Sequence, residues 1–530
     1  MDSHLRGTAR QAQRRDPESP DHLTIDPFAK FPAREFNYLT ELDAMDIDTP
    51  ATEAELLDEV AHFFRGAQRP ESPYCLFNTN VLATVDATAA ACLATMQNLN
   101  CLMDMFGGES LLVEQKVART IGRWAGWPES MGIACHSGKV TMQYALRLAI
   151  ARAQPASSKK GIVGPLVVLS SASAHYSVEH VAASVGIGAE NCVRVPVDSG
   201  GRMSSSALWT AMKRAHAQGA TIAAVVCCGG TIVDFSCDDT AKVHSTVDRF
   251  TREHSLAQRP YLHFDSVLGW LYFAFRGVSA EDLELAVPDD AIRNRIAVVT
   301  NRCSALGQFD SLGVDFHKTG LCAETNSFFI APDRRFMDEL GTGDYKYQDA
   351  DFEFGNFRAY RYTFENSRPS HGILAAWVNL RMLGRNGFGE YLVSLHQGRA
   401  GLEQAIERHG QFTVLNHSNL GWEVLFHIPF EEAGADAAYD DIAIAFMEHC
   451  WRRVREGREL PLFSIVPEYH IDHDPARSRV AFLLYPMNAR PPEQWDAVIA
   501  AIARELRRFE QGRESAARNK RSLAWEKPIR

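Results

Sequence analysis

No stretch of this 530-residue chain approaches the ~18 consecutive apolar residues that crossing a bilayer demands, so no membrane span is expected. Positive charge is not in excess. The 55 Lys and Arg are outnumbered by 66 Asp and Glu, leaving a formal charge of −11. Without a basic field to steer a polyanion, nucleic acids and anionic membrane surfaces are excluded as partners of the whole chain. Gly (36) and Pro (23) are too few for a collagen-like or low-complexity chain, and no internal repeat is present. Met1–Pro20 is charged and lacks the apolar core of a signal peptide. The 11 cysteines are scattered and odd in number. Cys135 beside His136, and Cys227, Cys228 and Cys237, lack zinc-ligand spacing, so no metal site is expected. A reduced, cytoplasmic protein is expected rather than a disulfide scaffold.

What is present is an ordinary globular composition, 46% apolar and 23% charged. Its length suits about three domains at ~150 residues each. Residues 1–25 are polar and read as a disordered tail. Order is expected to begin in an N-terminal helical segment, 26–105. Thr52 and Glu55 have capping-box spacing there, Leu56, Leu57, Val60, Phe63 and Phe64 share a face, and Gly66 can end the helix. A large domain, 106–375, opens with a helix in which Val113, Val117, Ile121 and Trp124 form a buried stripe. Apolar runs at Leu166–Leu169, Ile222–Cys228, Ile296–Thr300 and Phe328–Ala331 then alternate with amphipathic segments. That pattern predicts an α/β fold whose mostly parallel central sheet is buried on both faces. Residues 376–513 mix strand-like pieces (Phe412–Leu415, Trp422–Ile428, Val480–Tyr485) with helices, predicting a small C-terminal α+β domain. A polar, basic tail, 514–530, closes the chain.

Four segments could carry chemistry. Asp315-Phe316-His317-Lys318 follows a predicted strand. It is either a solvated surface pair or a lysine held near neutral pKa by burial and a cationic neighbour, able to form a Schiff base. Tyr261-Leu262-His263-Phe264-Asp265 delivers a carboxylate to the C-terminal end of a strand, where open α/β sheets bind ligands. Asp265 is either a cap for the next turn or the partner of a protonated heterocyclic nitrogen. In Ser171-Ala172-Ser173-Ala174-His175-Tyr176-Ser177, His175 is a loop histidine or an imidazole that stacks on a flat ring. His136-Ser137-Gly138-Lys139 enters a long helix, Val140–Ala153, and makes a small-residue turn at a helix N-terminus, suited to an anion.

Taken in order, these segments resemble the group II pyridoxal-phosphate (PLP) decarboxylases, which act on glutamate, aromatic amino acids, tyrosine and 2,4-diaminobutyrate. The family's Asp-x-His-Lys is matched by Asp315 to Lys318, its His-x-Asp by His263 and Asp265, and its Ala/Gln-His-x-Ser by Ala174 to Ser177. Ser137 and Gly138 match its phosphate turn, Glu365-Asn366-Ser367-Arg368 its Glu-x-Ser-Arg, and Glu114 the glutamate of its N-terminal helix. The resemblance spans roughly residues 50 to 515 and implies a PLP-dependent transferase-like fold (fold type I).

It further implies PLP as cofactor, held as a Schiff base by Lys318. Asp265 would face the pyridine nitrogen and His175 the ring. Ser137, Gly138, Lys139, Thr231, Asp315 and His317 would serve the cofactor, and Arg368 would bind a substrate or phosphate anion or make a structural salt bridge. Tyr345 or Tyr347, in the Gly-hinged stretch Gly341–Tyr347, would donate a proton. The activity implied is an L-amino acid α-decarboxylase releasing an amine and carbon dioxide. It would work as a homodimer with its active site between subunits and segment 50–105 as the interface. Four departures stand out. Lys139 occupies the phosphate turn, Met142 stands where Asn is common, Gly230-Thr231-Ile232 replaces Gly-Thr-Thr, and Ser266-Val267 replaces Ala-Ala after the Asp. The alternatives are a decarboxylating aldehyde synthase, a carbon–carbon lyase, or a degenerate paralogue without catalysis.

Overall fold

The computed structural model describes residues 37–44, 49–64, 67, 69–341, 357–430, 436–458, 460–488 and 490–518. The expected tail 1–25, Gly66, Tyr345, Tyr347 and residues 519–530 lie outside the described residues. Contacts divide the chain into two units, one of Leu76–Pro429 with Phe463–Asp496, the other of Met1–Cys75, Phe430–Leu462 and Ala497–Arg530. These breaks differ from the expected 105 and 375. The second of those falls inside a helical stretch, His371–His409, that is kinked at Gly384.

The larger unit holds a seven-stranded sheet: β1 Met131–Cys135, β2 Leu166–Ser171, β3 Cys192–Val195, β4 Thr221–Cys228, β5 Tyr261–Asp265, β6 Ser311–Asp315 and β7 Ser327–Ala331. Their spatial order is β1-β7-β6-β5-β4-β2-β3. β7 pairs antiparallel with both neighbours and every other pairing is parallel. Six strands therefore point one way. β2, β6 and β7 are buried at every position and β4 at all but its first, as a sheet covered on both faces requires.

Flanking helices of this unit are α1 Val85–Met96, α2 Ser110–Trp124, α3 Gly138–Ala153, α4 Ser177–Ser184, α5 Ser205–Ala217, α6 Thr240–Glu253, α7 Asp290–Arg302, the single turn α8 Phe316–Thr319, and α9 His371–His409. Val117 and Ile121 of α2 are fully buried, as the stripe predicted. The run Ile296–Thr300, expected as a strand, is helical. Asp289 caps α7 by accepting from the Ile292 N–H, and Ile292, Ile296 and Val299 bury at helical spacing. An antiparallel sheet in the order β10-β11-β9-β8 completes the unit, with β8 Thr413–Val414, β9 Val424–His427, β10 Ser464–His470 and β11 Ser478–Leu484.

In the smaller unit, Thr52 and Glu55 form the expected capping box at the start of the helix Glu53–Phe63. A short helix, Tyr38–Asp43, capped by Asn37, precedes it within the expected segment 26–105. The apolar face of Glu53–Phe63 is open, with Val60 48% and Phe63 71% exposed. The last helix, Pro492–Arg518, runs into the expected basic tail. No helix among the described residues is long and apolar enough to cross a membrane.

Candidate active site

Five strands of common direction end at one edge of the sheet, and the loops beyond them converge on a cavity of about 390 Å³. Such an edge is where open α/β sheets seat ligands. β1 leads into Ser137, Gly138 and Lys139; β2 into His175 and Ser177; β4 into Gly230, Thr231 and Ile232. Asp265 ends β5, and Asp315, His317 and Lys318 follow from β6. The register sets the depth: Cys228 pairs with Asp265, and Asp265 with Gly313, so β6 reaches two residues further before turning into α8.

Lys318 Nζ lies 2.9 Å from Asp315 Oδ2. Burial works against the ammonium, but Asp315, aided by Asp265 and Glu324, outweighs it, and the pKa of Lys318 is raised. The expectation of a lysine near neutrality is thus corrected: its close neighbour is a buried carboxylate rather than a cation. His317 is buried, its Nδ1 3.2 Å from the Asn326 N–H it accepts and its Nε2 3.6 Å from Asp315 Oδ2.

Asp265 lacks a hydrogen-bond partner at its buried Oδ1. Burial, partly offset by Lys318, lifts its pKa from 3.8 to about 6. His175 Nδ1 accepts the Ser177 N–H at 3.2 Å, which leaves the proton of a neutral ring on Nε2. Partial burial and the charges of Lys318, Lys139 and Arg194 lower its pKa to about 4. His263, in contrast, points into the core and pairs with Ser311 Oγ at 2.8 Å.

Gly138 starts α3 against the opposite wall. A Cβ there would come within 2.9 Å of Val267 Cγ1 and 3.0 Å of Asp315 Oδ2, so only glycine leaves this approach open. Ser137 occupies the N-cap position but makes no side-chain cap bond. Thr231 lines the cavity, yet its hydroxyl is engaged in its own turn, donating to Val233 O at 2.7 Å and accepting from Ser236 N at 2.9 Å.

Arg368 does not line the cavity. It is 3% exposed, and its Nη1 lies 2.6 Å from Glu114 Oε1. The structural salt bridge, rather than an anion site, is what the fold makes of it. Glu114 Oε1 also accepts the Ala134 N–H at 2.7 Å, while the Gln115 amide brackets Gly132 through bonds of 2.9 and 3.0 Å. Side chains of α2 thereby pair backbone groups of β1, the strand at the sheet's edge that delivers the Ser137 turn.

Three positioning residues escaped the sequence reading. Arg194 donates to Ser171 O at 3.0 Å and Ala174 O at 2.5 Å, anchoring the loop that carries His175. Asp238 accepts the Met203 N–H at 2.6 Å and the Cys228 N–H at 2.8 Å, fixing the end of β4. Asn326 holds His317. Their partners lie 9 to 35 residues away in sequence, and no local pattern marks them. All 11 cysteines are unpaired, and among the described residues no cluster suits a metal ion.

A family model, the pyridoxal-dependent decarboxylase conserved domain, matches residues 78–273. The human acidic amino acid decarboxylase GADL1 is 33% identical over 161 residues, 30% of this chain and 29% of that protein. The L-2,4-diaminobutyrate decarboxylase of Rhizobium meliloti is 31% identical over 177 residues, 33% of each chain. The aligned stretches thus span about a third of these relatives. The crystal structure of mouse CSAD shares the fold, with a TM-score of 0.73 over 89% of this chain and 93% of that one, at 16% identity. Lys318 lies beyond the family-model match, and the fold is what brings it to the other motifs. The unpartnered Asp265 Oδ1, the open cradle at Gly138 and the lysine between them suit a flat cation bearing an aldehyde and a phosphate. Residues 78–273 are thus similar to the pyridoxal-dependent decarboxylase domain, and the residues of this cavity fit its cofactor, pyridoxal 5′-phosphate.

Proposed function

We propose that the protein is an L-amino acid α-decarboxylase that releases an amine and carbon dioxide. The observation that carries this reading is the meeting of Lys318, Asp315, Asp265 and His175 with the start of α3 in one cavity. PLP, when bound, supplies the electron sink that decarboxylation needs. Lys318 would hold its aldehyde carbon, Asp265 its ring nitrogen, His175 its ring face, and Ser137, Gly138, Thr231 and His317 its phosphate end.

The chain's own groups have defined tasks. Lys318 must shed a proton before it acts as a nucleophile, and Asp315 Oδ2, 2.9 Å away, is the base in reach. Asp265 stays ionised at neutral pH, and an opposite charge at Oδ1 would stabilise it. A pKa of about 4 keeps His175 neutral, so it can lie against a ring without adding charge. Tyr345 or Tyr347 would return the proton to the substrate carbon. The open apolar face of Glu53–Phe63 supports a homodimer. The 11 scattered cysteines, odd in number, support a reducing, cytoplasmic site of action.

Mass spectrometry of a broad amino-acid panel incubated with protein and PLP tests this reading, with Lys318→Ala as control. An amine formed with loss of carbon dioxide, absent in the control, is expected. An aldehyde or a retro-aldol product would replace the reading. Borohydride trapping of PLP on Lys318 establishes the covalent site independently of turnover.

A further inference from the structure

The phosphate turn departs from its family at Lys139, and the structure leaves this lysine in an unusual position. It is the second residue of α3, where the positive end of the helix dipole disfavours a cation. The first turn of α3 contains no acidic residue to compensate. No carboxylate lies within ion-pair distance of Lys139 Nζ among the described residues. Its Nζ lies 5.7 Å from the half-exposed ring of Tyr176, a weak contact for an ammonium. Asp315, whose carboxylate lies against Gly138, is taken by Lys318. Yet Lys139 lines the cavity together with Ser137 and His175.

A dianion at the start of α3 would answer each of these features. It would face the first helical N–H groups, which precede the first intrahelical bond, and it would neutralise the unpaired ammonium. We propose that Lys139 supplies the counter-charge for the cofactor's phosphate, replacing neutral donors with a full positive charge and leaving Tyr176 when the phosphate arrives. The proposal rests on the PLP reading above and adds to it a charge-dependent mode of cofactor capture. A hydrogen bond to a charged group is worth more than one between neutral groups, so the loss should be large.

The test compares PLP with pyridoxal, which lacks the phosphate. Binding of each to wild type, Lys139→Ala and Lys139→Arg is titrated by intrinsic tryptophan fluorescence, and borohydride-trapped mass on Lys318 is measured in parallel. Lys139 is exposed, so the variants should melt with the wild type, and circular dichroism checks this. In Lys139→Ala the dissociation constant for PLP is expected to rise tenfold or more, with that for pyridoxal changed less than twofold. Lys139→Arg should recover most of the loss. Added salt should weaken PLP binding more in wild type than in Lys139→Ala. Equal PLP affinity in wild type and Lys139→Ala would overturn the proposal while leaving the PLP reading intact. So would an equal loss for PLP and pyridoxal. A lysine that served an acidic substrate side chain instead would leave both titrations unchanged and move only KM. Absence of any trapped PLP on wild-type Lys318 would overturn both.

Discussion

Asp265→Asn should make the cofactor-free protein more stable at neutral pH while weakening its hold on PLP. Asp265 lines the cavity, and its buried Oδ1 has no hydrogen-bond partner. Burial, opposed by Lys318, moves its pKa from 3.8 to about 6. That displacement is equivalent to ~3 kcal/mol of folding free energy once the group is fully ionised. The sign follows from proton binding. Between about pH 4 and pH 6 the folded chain retains a proton on Asp265 that the unfolded chain has lost. The stability tied to this group is therefore greatest below pH 4, declines as pH rises through the window, and is level above it. Asn cannot ionise and is spared the decline. Lys318 keeps Asp315 at 2.9 Å in the variant, so its ammonium remains paired.

Urea unfolding of both cofactor-free proteins, followed by tryptophan fluorescence from pH 4 to pH 8, measures the difference. The variant should draw level with the wild type near pH 4 and exceed it by a value approaching ~3 kcal/mol above pH 6. Saturating PLP should narrow the gap. A ligand at about 100 times its dissociation constant adds ~2.7 kcal/mol to whatever binds it, and the variant should gain less. A difference that stays constant across the pH range, or a variant less stable at pH 8, would refute the view of Asp265 as an under-satisfied carboxylate kept for a cationic ligand.

Gly138→Ala places a methyl 2.9 Å from Val267 Cγ1 and 3.0 Å from Asp315 Oδ2. A stability loss of ~1–3 kcal/mol is expected from the crowding, with weaker PLP binding in a fluorescence titration. Glu114→Gln or Arg368→Met breaks a buried ion pair and should cost ~3–5 kcal/mol in urea unfolding, whereas the double variant should cost less than the two losses together. His263 is fully buried, and burial lowers its pKa to about 3. Its contribution to stability is complete above its ordinary value of 6.5 and is lost as pH falls toward 3, so His263→Asn should flatten the acid limb of the stability profile.

The parts of the site that were legible in the sequence share one physical cause. A strand buried on both faces is a continuous apolar run, so its end is visible as the first polar residue, and a parallel sheet collects those ends on one edge. His175, Asp265 and Asp315 sit where β2, β5 and β6 stop or just beyond; the apolar runs located the first two, while no run was read at β6 and Asp315 was found through its motif. Where the run was short or its spacing ambiguous, the same reasoning failed. Ile296–Thr300 contains a four-residue apolar stretch, Ile296–Val299, but its neighbours Asp289 and Ile292 provide a cap and a helical period that reach outside it. The edge strands β1 and β3 are only five and four residues long, and β1 begins Met131-Gly132, too little to mark a strand.

Electrostatics were less legible still, because they depend on what lies across the cavity rather than along the chain. From its sequence neighbours Lys318 has a histidine beside it. In the fold it has a buried carboxylate, three residues back, turned toward it by one helical turn, and its pKa moves the opposite way. Arg368 shows the converse. It lies in a recognisable motif, and the partner that engages it, Glu114, is 254 residues away. Both residues were found by motif, and both had their charge environment assigned only by the fold. Lys139 is the instructive third case: its departure from the family pattern was visible in sequence, but that it stands unpaired in the first turn of a helix was not. A motif thus locates a charged residue, while the fold decides whether that charge is already satisfied or still available to a ligand.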